Sequence, residues 1–205
     1  MLNREFLLRL SELYDEFQQH DAKQSDRLQR FRNIEPDSAQ FLSMLIRTQQ
    51  SKSILEIGTS TGYSTLWLAE AAQATGANIV TLEIEEKRSQ QAKNYAQELK
   101  LDTVIEFWVG DAAQYLQEAQ TTFDFILLDA ERSYYPNYWN DLKRLMRKNG
   151  GVLMVDNVIS HAAEVKAFLN MIKQDGDFLT STISFGAGLY MVVAKYTIKR
   201  ACMAR

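Results

Sequence analysis

One segment of the chain constrains its fold more than any other: an apolar run leads into a turn bounded by two glycines, and a helical pattern follows. Residues 54–64 read ILEIGTSTGYS. Gly58 and Gly62 lack a Cβ, so the backbone can turn tightly there and approach a ligand closely. The segment therefore predicts a strand, a turn and a helix that together form one wall of a ligand pocket.

The spacing of the glycines argues against two common nucleotide sites. A dinucleotide fingerprint would place glycines where this chain has Ser60 and Tyr63. A phosphate-binding P-loop would need a lysine in the stretch that here reads Tyr63, Ser64 and Thr65. Both NAD and ATP are therefore disfavoured.

The acidic residue before the turn indicates a different ligand. Glu56 suits a ligand with an ammonium group and would repel a pyrophosphate. S-adenosylmethionine (SAM) carries an ammonium group, and Ser64 with the helix N-terminus could hold its carboxylate. The alternative is a glycine turn that only connects a strand to a helix.

Four sequence blocks resemble the class I SAM-dependent O-methyltransferases of the catechol and caffeoyl-CoA type. The resemblance runs from about residue 36 to 195, and its blocks cover residues 54–69, 80–96, 109–116 and the pair 123–139 with 150–161. It implies a Rossmann-like α/β fold, a SAM cofactor and a small hydroxyl acceptor. The cofactor-binding positions that we predict are Glu56, Gly58, Thr59, Ser60, Gly62, Tyr63, Ser64, Glu83, Asp111, Ala112 and Asp129.

The composition fits a single enzyme domain. The 205 residues are 46% hydrophobic and 24% charged, with a net charge of −3, which gives no general attraction to nucleic acid or anionic membranes. The single cysteine, Cys202, excludes an internal disulfide framework. The charged N-terminus resembles neither a signal peptide nor a membrane span. We expect one domain over residues 1–205, with a helical cap (1–50) and a Rossmann-like core (51–197), in a cytoplasmic homodimer.

Apolar periodicity predicts the order of the secondary structure elements. Helices are expected over residues 3–19 and 21–33, and a third should follow Pro36 with Asp37 or Ser38 as its N-cap. Short apolar runs then alternate with helical patterns, which favours a doubly wound, mostly parallel sheet ending in an antiparallel hairpin around residues 185–188. The predicted strands are 53–57, 78–83, 104–109, 123–129, 151–156, 178–184 and 189–196.

Two acidic residues at strand ends are predicted to bind the adenosine part of the cofactor. Glu83 ends the second strand, where a carboxylate can accept hydrogen bonds from both ribose hydroxyls. Asp111 follows the third strand, and the resemblance places it and the amide of Ala112 beside the adenine. Either acid could instead serve only as a helix cap.

Three oxygen-bearing side chains at two further strand ends predict a cation site. Asp129 closes one apolar strand, and Asp156 with Asn157 closes another. Two carboxylates and an amide without histidine or thiolate suit Mg²⁺, Mn²⁺ or Ca²⁺ and not zinc. The resemblance implies that such a cation holds two neighbouring hydroxyl oxygens of the acceptor. The alternative is that both aspartates only cap the helices that follow.

One position departs from the family pattern and leaves the proton acceptor open. Better-known members carry a lysine three residues after the first metal aspartate, whereas this chain has Arg132, whose high pKa makes it an implausible base. Arg132 could supply charge or structure, and His161 could take the proton. Alternatively, Arg132 pairs with Glu131 or a backbone carbonyl and has no catalytic part.

Two further features keep other functions open. The cluster Tyr134-Tyr135-Pro136-Asn137-Tyr138-Trp139 either supports the site or packs a helix against the sheet. A basic run around residues 143–148 is the local support for a tRNA methyltransferase, although a solvated helix face would explain it equally. A SAM-binding protein with weak or lost catalysis is the third class.

Overall fold

A seven-stranded sheet forms the centre of the molecule. The computed structural model describes residues 3–196, except for the side chain of Leu28. Cys202 lies outside the described residues. The strand order is β3-β2-β1-β4-β5-β7-β6. The first five strands run parallel, and β7 pairs antiparallel with both β5 and β6. The strands are β1 (Ser53–Ile57), β2 (Asn78–Glu83), β3 (Ile105–Val109), β4 (Phe125–Leu128), β5 (Val152–Val155), β6 (Phe178–Ile183) and β7 (Leu189–Ala194).

Seven α-helices accompany the described strands. The crossovers of the parallel strands place helices on both faces of the sheet, as expected for a doubly wound fold. The helices are α1 (Arg4–Lys23), α2 (Pro36–Gln49), α3 (Tyr63–Thr75), α4 (Glu86–Glu98), α5 (Ala112–Glu118), α6 (Tyr135–Leu145) and α7 (Ala162–Gln174). The predicted fold class, the seven strands and the C-terminal hairpin are confirmed.

Two hydrophobic clusters lie on opposite faces of the sheet. The first contains the apolar sides of α1, α2 and α3, including an edge-on contact between the rings of Phe6 and Trp67. The second is formed under α6 and α7, where Phe168 packs against Tyr135 and Trp139. β4 and β5 lie between the clusters and are buried at every position, which explains their unbroken apolar sequences.

The predicted second helix is wrong. The first helix extends to Lys23, and the following residues form only a short 3₁₀ turn over Arg27–Gln29 and then an extended segment. The Asp21 carboxylate accepts hydrogen bonds from the backbone N–H groups of Phe31 and Arg32, at 2.7 and 2.9 Å. These bonds hold residues 24–35 as a folded-back segment in place of a helix.

The predicted N-cap of the helix after Pro36 is also wrong. Glu35 occupies the N-cap position without a side-chain capping bond, and Pro36 is the first residue of α2. The backbone of Glu35 is extended, as expected for a residue that precedes proline, and proline suits the first helical position. None of the helices among the described residues combines the length and apolar character that a membrane span requires.

Candidate active site

A cavity of about 430 Å³ opens at the carboxyl ends of β1 to β5. This edge of the sheet is where open α/β folds assemble their binding sites. Most of the residues predicted from the sequence lie in its lining, whereas Glu56, Gly62, Tyr63 and Asp156 lie behind it. The predicted site residues in the lining are Gly58, Thr59, Ser60, Ser64, Glu83, Asp111, Ala112, Asp129, Arg132, Asn157 and His161.

The two glycines of the turn are required by neighbouring protein segments. Gly58 has φ +104°, and a Cβ there would collide with the carbonyl group of Asp129. Gly62 has φ +92°, and a Cβ there would lie 2.7 Å from the Cβ of Ala92. The glycines thus bring the turn against the end of β4 and against α4, and the approach of a ligand to Gly58, which lines the cavity, stays a prediction.

Glu56 lies beneath the turn in a buried network of hydroxyl groups. Its Oε2 accepts hydrogen bonds from Thr65 at 2.5 Å and Thr81 at 2.6 Å, and Thr81 also contacts the hydroxyl of Thr59 at 2.6 Å. Burial raises the pKa of Glu56 to about 7, although the hydroxyls of Ser64, Thr65 and Thr81 oppose this shift. The carboxyl therefore ties β1, β2 and α3 together, and its contact with a cofactor ammonium stays a prediction.

Glu83 lies at the edge of the cavity and fixes the turn. Its Oε2 accepts a hydrogen bond of 2.8 Å from the backbone N–H of Ser60, and its Oε1 accepts one of 3.0 Å from that of Glu85. Each carboxylate oxygen has a second lone pair, so two ribose hydroxyls could still be accepted. Burial raises the pKa of Glu83, and the two backbone N–H groups oppose this shift.

Asp111 serves as the N-cap of α5 and also faces the cavity. Its Oδ1 accepts a hydrogen bond of 2.9 Å from the backbone N–H of Ala113. The cap bond occupies only one oxygen of the exposed carboxylate, so the capping and binding interpretations are compatible.

The start of α3 presents backbone donors to the cavity. Gly62 is the N-cap residue and has no side-chain capping bond, which leaves N–H groups of the first turn available for an anion. Ser64 lines the cavity beside them, whereas the ring of Tyr63 is buried against Tyr14, with 5.1 Å between ring centroids.

Asp129 and Asp156 lie close together at the ends of β4 and β5. The Asn157 side-chain nitrogen donates hydrogen bonds to both, at 3.2 Å to Asp129 and 2.8 Å to Asp156. Asn157 has φ +64°, in the left-handed region that asparagine adopts more readily than most other non-glycine residues. The second oxygen of Asp156 is buried and has no hydrogen-bond partner among the described residues.

The two carboxyl groups are electrostatically unsatisfied. Burial raises the pKa of Asp129 to about 6, although the guanidinium charges of Arg32 and Arg132 oppose this shift. Burial raises the pKa of Asp156 well above its usual range, and the charge of Asp129 adds to this effect. A divalent cation would counteract both the burial and the mutual repulsion that raise these pKa values. A half-turn of the Asn157 amide would present its oxygen to that cation. The donor set therefore fits a hard divalent cation.

Arg132 is buried beside this pair and bonds to α7. Its Nε donates a hydrogen bond of 2.7 Å to Glu164, and its side chain is only 6% exposed. In the part of the chain that the structure describes, its Nη2 has no hydrogen-bond partner. The sequence alternatives named Glu131 or a backbone carbonyl as partners, whereas the observed partner is Glu164.

His161 stands at the start of α7 and lines the cavity. Its backbone N–H bonds to the carbonyl of Asn157 at 3.1 Å, and its Nδ1 lies 2.8 Å from the hydroxyl of Ser160. Partial burial lowers the pKa of His161, and the nearby guanidinium of Arg132 adds to this shift. The imidazole is therefore predominantly neutral at pH 7 and able to accept a proton.

Sequence reasoning missed one wall of the cavity. Arg27, Phe31, Arg32, Asn33 and Glu35 line it, although this segment was predicted mainly as a helix. No local signal marked this wall, because Pro36 restricts only residue 35, which lay outside the predicted helix.

The aromatic cluster divides between its two interpretations, because Tyr134 and Tyr138 line the cavity. Tyr135 is buried and donates a hydrogen bond of 3.0 Å to the carbonyl of Ala130, so it packs α6 against the sheet. In the basic run, Lys143 pairs with Asp175 at 3.0 Å and Arg144 with Asp141 at 3.0 Å. This run lies at the end of α6 that precedes β5 and outside the cavity lining, and the tRNA alternative stays untested.

Comparisons of the sequence with known proteins agree with these motifs. The sequence model that describes the O-methyltransferase family matches residues 8–195. A catechol O-methyltransferase of Niastella koreensis is 34% identical over 131 residues, which cover 62% of this chain and 58% of that protein. A caffeoyl-CoA O-methyltransferase of Populus trichocarpa is 33% identical over 135 residues, which cover 63% of this chain and 54% of that protein. The matched region thus spans little more than half the length of these curated relatives.

Solved structures agree over nearly the whole chain. The O-methyltransferase from Bacillus cereus, in complex with S-adenosylhomocysteine (SAH), superposes with a TM-score of 0.76 at 26% identity and covers 95% of this chain and 93% of its own. The O-methyltransferase TomG from Streptomyces achromogenes, in complex with SAM, superposes with a TM-score of 0.77 at 26% identity. The match covers 94% of this chain and 91% of that one. The resemblance carried by the four sequence blocks is confirmed.

Proposed function

Because the chain belongs to the O-methyltransferase family, we propose that it transfers the methyl group of SAM to a hydroxyl of a small catechol-like or vicinal hydroxyl acceptor, with a divalent cation at the site. One observation carries this proposal: Asp129 lines the same cavity as the glycine turn, and Asn157 joins it to the buried Asp156 directly behind the lining. A methyl donor on the turn and a hydroxyl at the carboxyl pair would be neighbours there.

In this proposal the turn side of the cavity holds the cofactor. Glu83 accepts the ribose hydroxyls, Asp111 and Ala112 face the adenine, and Ser64 with the first N–H groups of α3 holds the carboxylate. When ionised, Glu56 supplies negative charge from below, which favours the ammonium and sulfonium groups of SAM. Two solved relatives of the same fold were obtained with SAM or SAH, which supports this assignment.

In the proposal, Asp129, Asp156 and Asn157 hold the cation. Mg²⁺ or Mn²⁺ suits their oxygen donors, and a cation there would lower the pKa of an acceptor hydroxyl. Arg132 limits the net negative charge beside the carboxyl pair, and its bond to Glu164 keeps the loop after β4 in place. His161 accepts the proton directly or through water, because its lowered pKa keeps the imidazole neutral.

Methyl transfer from labelled SAM tests the proposal. The purified chain, supplied with Mg²⁺, is offered a panel of phenols and vicinal diols and, separately, bulk tRNA. We expect label in a monomethylated hydroxyl compound. Label in tRNA alone would favour the tRNA hypothesis, and tight SAH binding without any transfer would favour a protein with lost catalysis. A homodimer and a cytoplasmic location stay predictions from the sequence.

A further inference from the structure

Two arginines reach the cavity from the folded-back segment of residues 24–35. Arg27 and Arg32 line it together with Arg132 and His161. The backbone at Arg32 is well anchored, because Asp21 holds its N–H group at 2.9 Å. Ser60 donates a hydrogen bond of 2.8 Å to the carbonyl of Phe31, which joins the segment to the cofactor turn. Arg32 therefore stands at a fixed part of the cavity rim.

The backbone at Arg32 is in an unusual conformation. Its φ is +54°, in the left-handed region where residues other than glycine, asparagine and aspartate are uncommon. Strained residues of this kind concentrate at binding sites, where the surrounding structure holds them in place. The conformation directs attention to this side chain as a ligand contact.

The two guanidinium groups retain donors that the protein does not use. Arg32 lies 3.8 Å from Glu131, which is an ion pair without a hydrogen bond. Across residues 3–196, no acidic side chain lies within ion-pairing distance of Arg27. Glu35, another acid of this wall, already accepts a hydrogen bond of 3.2 Å from the backbone N–H of Ala187.

Arg27 and Arg32 lie on the side of the cavity that the proposed function assigns to the acceptor. Glu83, Asp111 and Ala112 line the adenosine side of the cavity at the ends of β2 and β3. The arginines share the other side with Asp129, Asn157 and His161, at the ends of β4 and β5. Their free N–H donors thus border the space that the proposed function assigns to the hydroxyl acceptor.

We propose that the acceptor carries an anionic group, a carboxylate or a phosphate, in addition to the hydroxyl that is methylated, and that Arg27 and Arg32 bind this group. The planar fork of a guanidinium matches both anions with paired hydrogen bonds. Arg132, in the same lining, adds positive charge. The inference rests on the proposed function, since it names the class of acceptor for the same site.

Matched acceptors test the inference. Values of kcat/KM are compared for 3,4-dihydroxybenzoate, for the neutral 3,4-dihydroxybenzamide, and for 3,4-dihydroxyphenylphosphonate, which separates carboxylate from phosphate recognition. We expect at least one anion to be preferred over the amide by about tenfold or more, because hydrogen bonds between charged groups are strong. Arg27→Gln and Arg32→Gln should each reduce that preference. Lys148→Gln makes the same charge change at an exposed position distant from the cavity, and it should leave the preference intact.

A binding measurement separates this inference from the proposed function. Calorimetry on the SAH-loaded protein compares the benzoate with the benzamide, and SAH affinity and thermal unfolding show that the variants remain folded. Tighter binding of the anion without methyl transfer would support the inference and contradict the proposed function. Equal kcat/KM and equal binding of the two compounds would overturn the inference, as would arginine variants that raise only the KM for SAM. Methylation of tRNA but of none of these acceptors would also overturn it.

Discussion

The buried guanidinium of Arg132 donates a hydrogen bond of 2.7 Å to the exposed carboxylate of Glu164 and so joins the loop after β4 to α7. The bond gives Arg132 a structural role next to the carboxyl pair. It also explains how an arginine can occupy this position without acting as a base.

Arg132→Lys should keep methyl transfer within roughly tenfold, a barrier change below about 1.4 kcal/mol. A lysine retains the positive charge beside Asp129 and Asp156. Arg132→Met removes that charge and should lower activity further, since it leaves the carboxyl pair and Glu164 uncompensated. Steady-state kinetics on a confirmed acceptor measure both. Equal activity in the two variants would show that the charge has no part in the reaction.

His161→Ala should reduce kcat about a hundredfold, because general base catalysis typically contributes about 10² to 10⁴. Because the pKa of His161 is lowered from its usual value of about 6.5, the imidazole becomes protonated only below that pH. Wild-type activity should therefore fall only as the pH drops beneath about 6.5. Profiles between pH 5 and 9 test this, with the exposed Lys166→Ala on α7 as the control. A fully active variant with an unshifted profile would leave water as the proton acceptor.

Glu83→Ala should weaken SAH binding by about 1 to 3 kcal/mol, because hydrogen bonds to a charged group are lost. The substitution also removes the bond that anchors Ser60 in the turn. Calorimetry measures the change, and Glu86→Ala, three residues along at an exposed position outside the cavity lining, should bind as the wild type does. Unchanged affinity in Glu83→Ala would remove Glu83 from the cofactor site.

Glu56→Gln should stabilise the ligand-free protein at pH 8. The folded pKa of Glu56 is raised to about 7, so between pH 4.5 and 7 the folded state binds more protons than the unfolded state. Stability is therefore lost as the pH rises through this window, by up to about 3 kcal/mol for this group. The glutamine stays neutral and still accepts from Thr65 and Thr81. Urea unfolding at pH 4.5 and 8 measures the free energy difference, and a variant less stable than the wild type at pH 8 would contradict the raised pKa of Glu56.

Local sequence patterns predicted most of the fold. The apolar runs of β4 and β5 and the glycines around residue 58 indicated the sheet and the edge of it that holds the cavity. The segment of residues 24–35 was misassigned because its structure depends on hydrogen bonds that Phe31 donates to Asp21 and accepts from Ser60, which no periodicity reveals. The network of Glu56 with Thr65 and Thr81 could not be predicted from sequence patterns either, since packing brings these distant residues together.

Removal and return of the cation test the central claim most directly. The protein is treated exhaustively with a chelator and assayed for methyl transfer to its hydroxyl acceptor, before and after Mg²⁺ or Mn²⁺ is added back. Asp156→Asn serves as the site variant, and Asp141→Asn on the surface of α6 serves as its control. The account predicts that chelation abolishes transfer, that either cation restores it in the wild type and the control, and that Asp156→Asn stays largely inactive. Transfer that survives chelation, together with an active Asp156→Asn enzyme, would contradict the account.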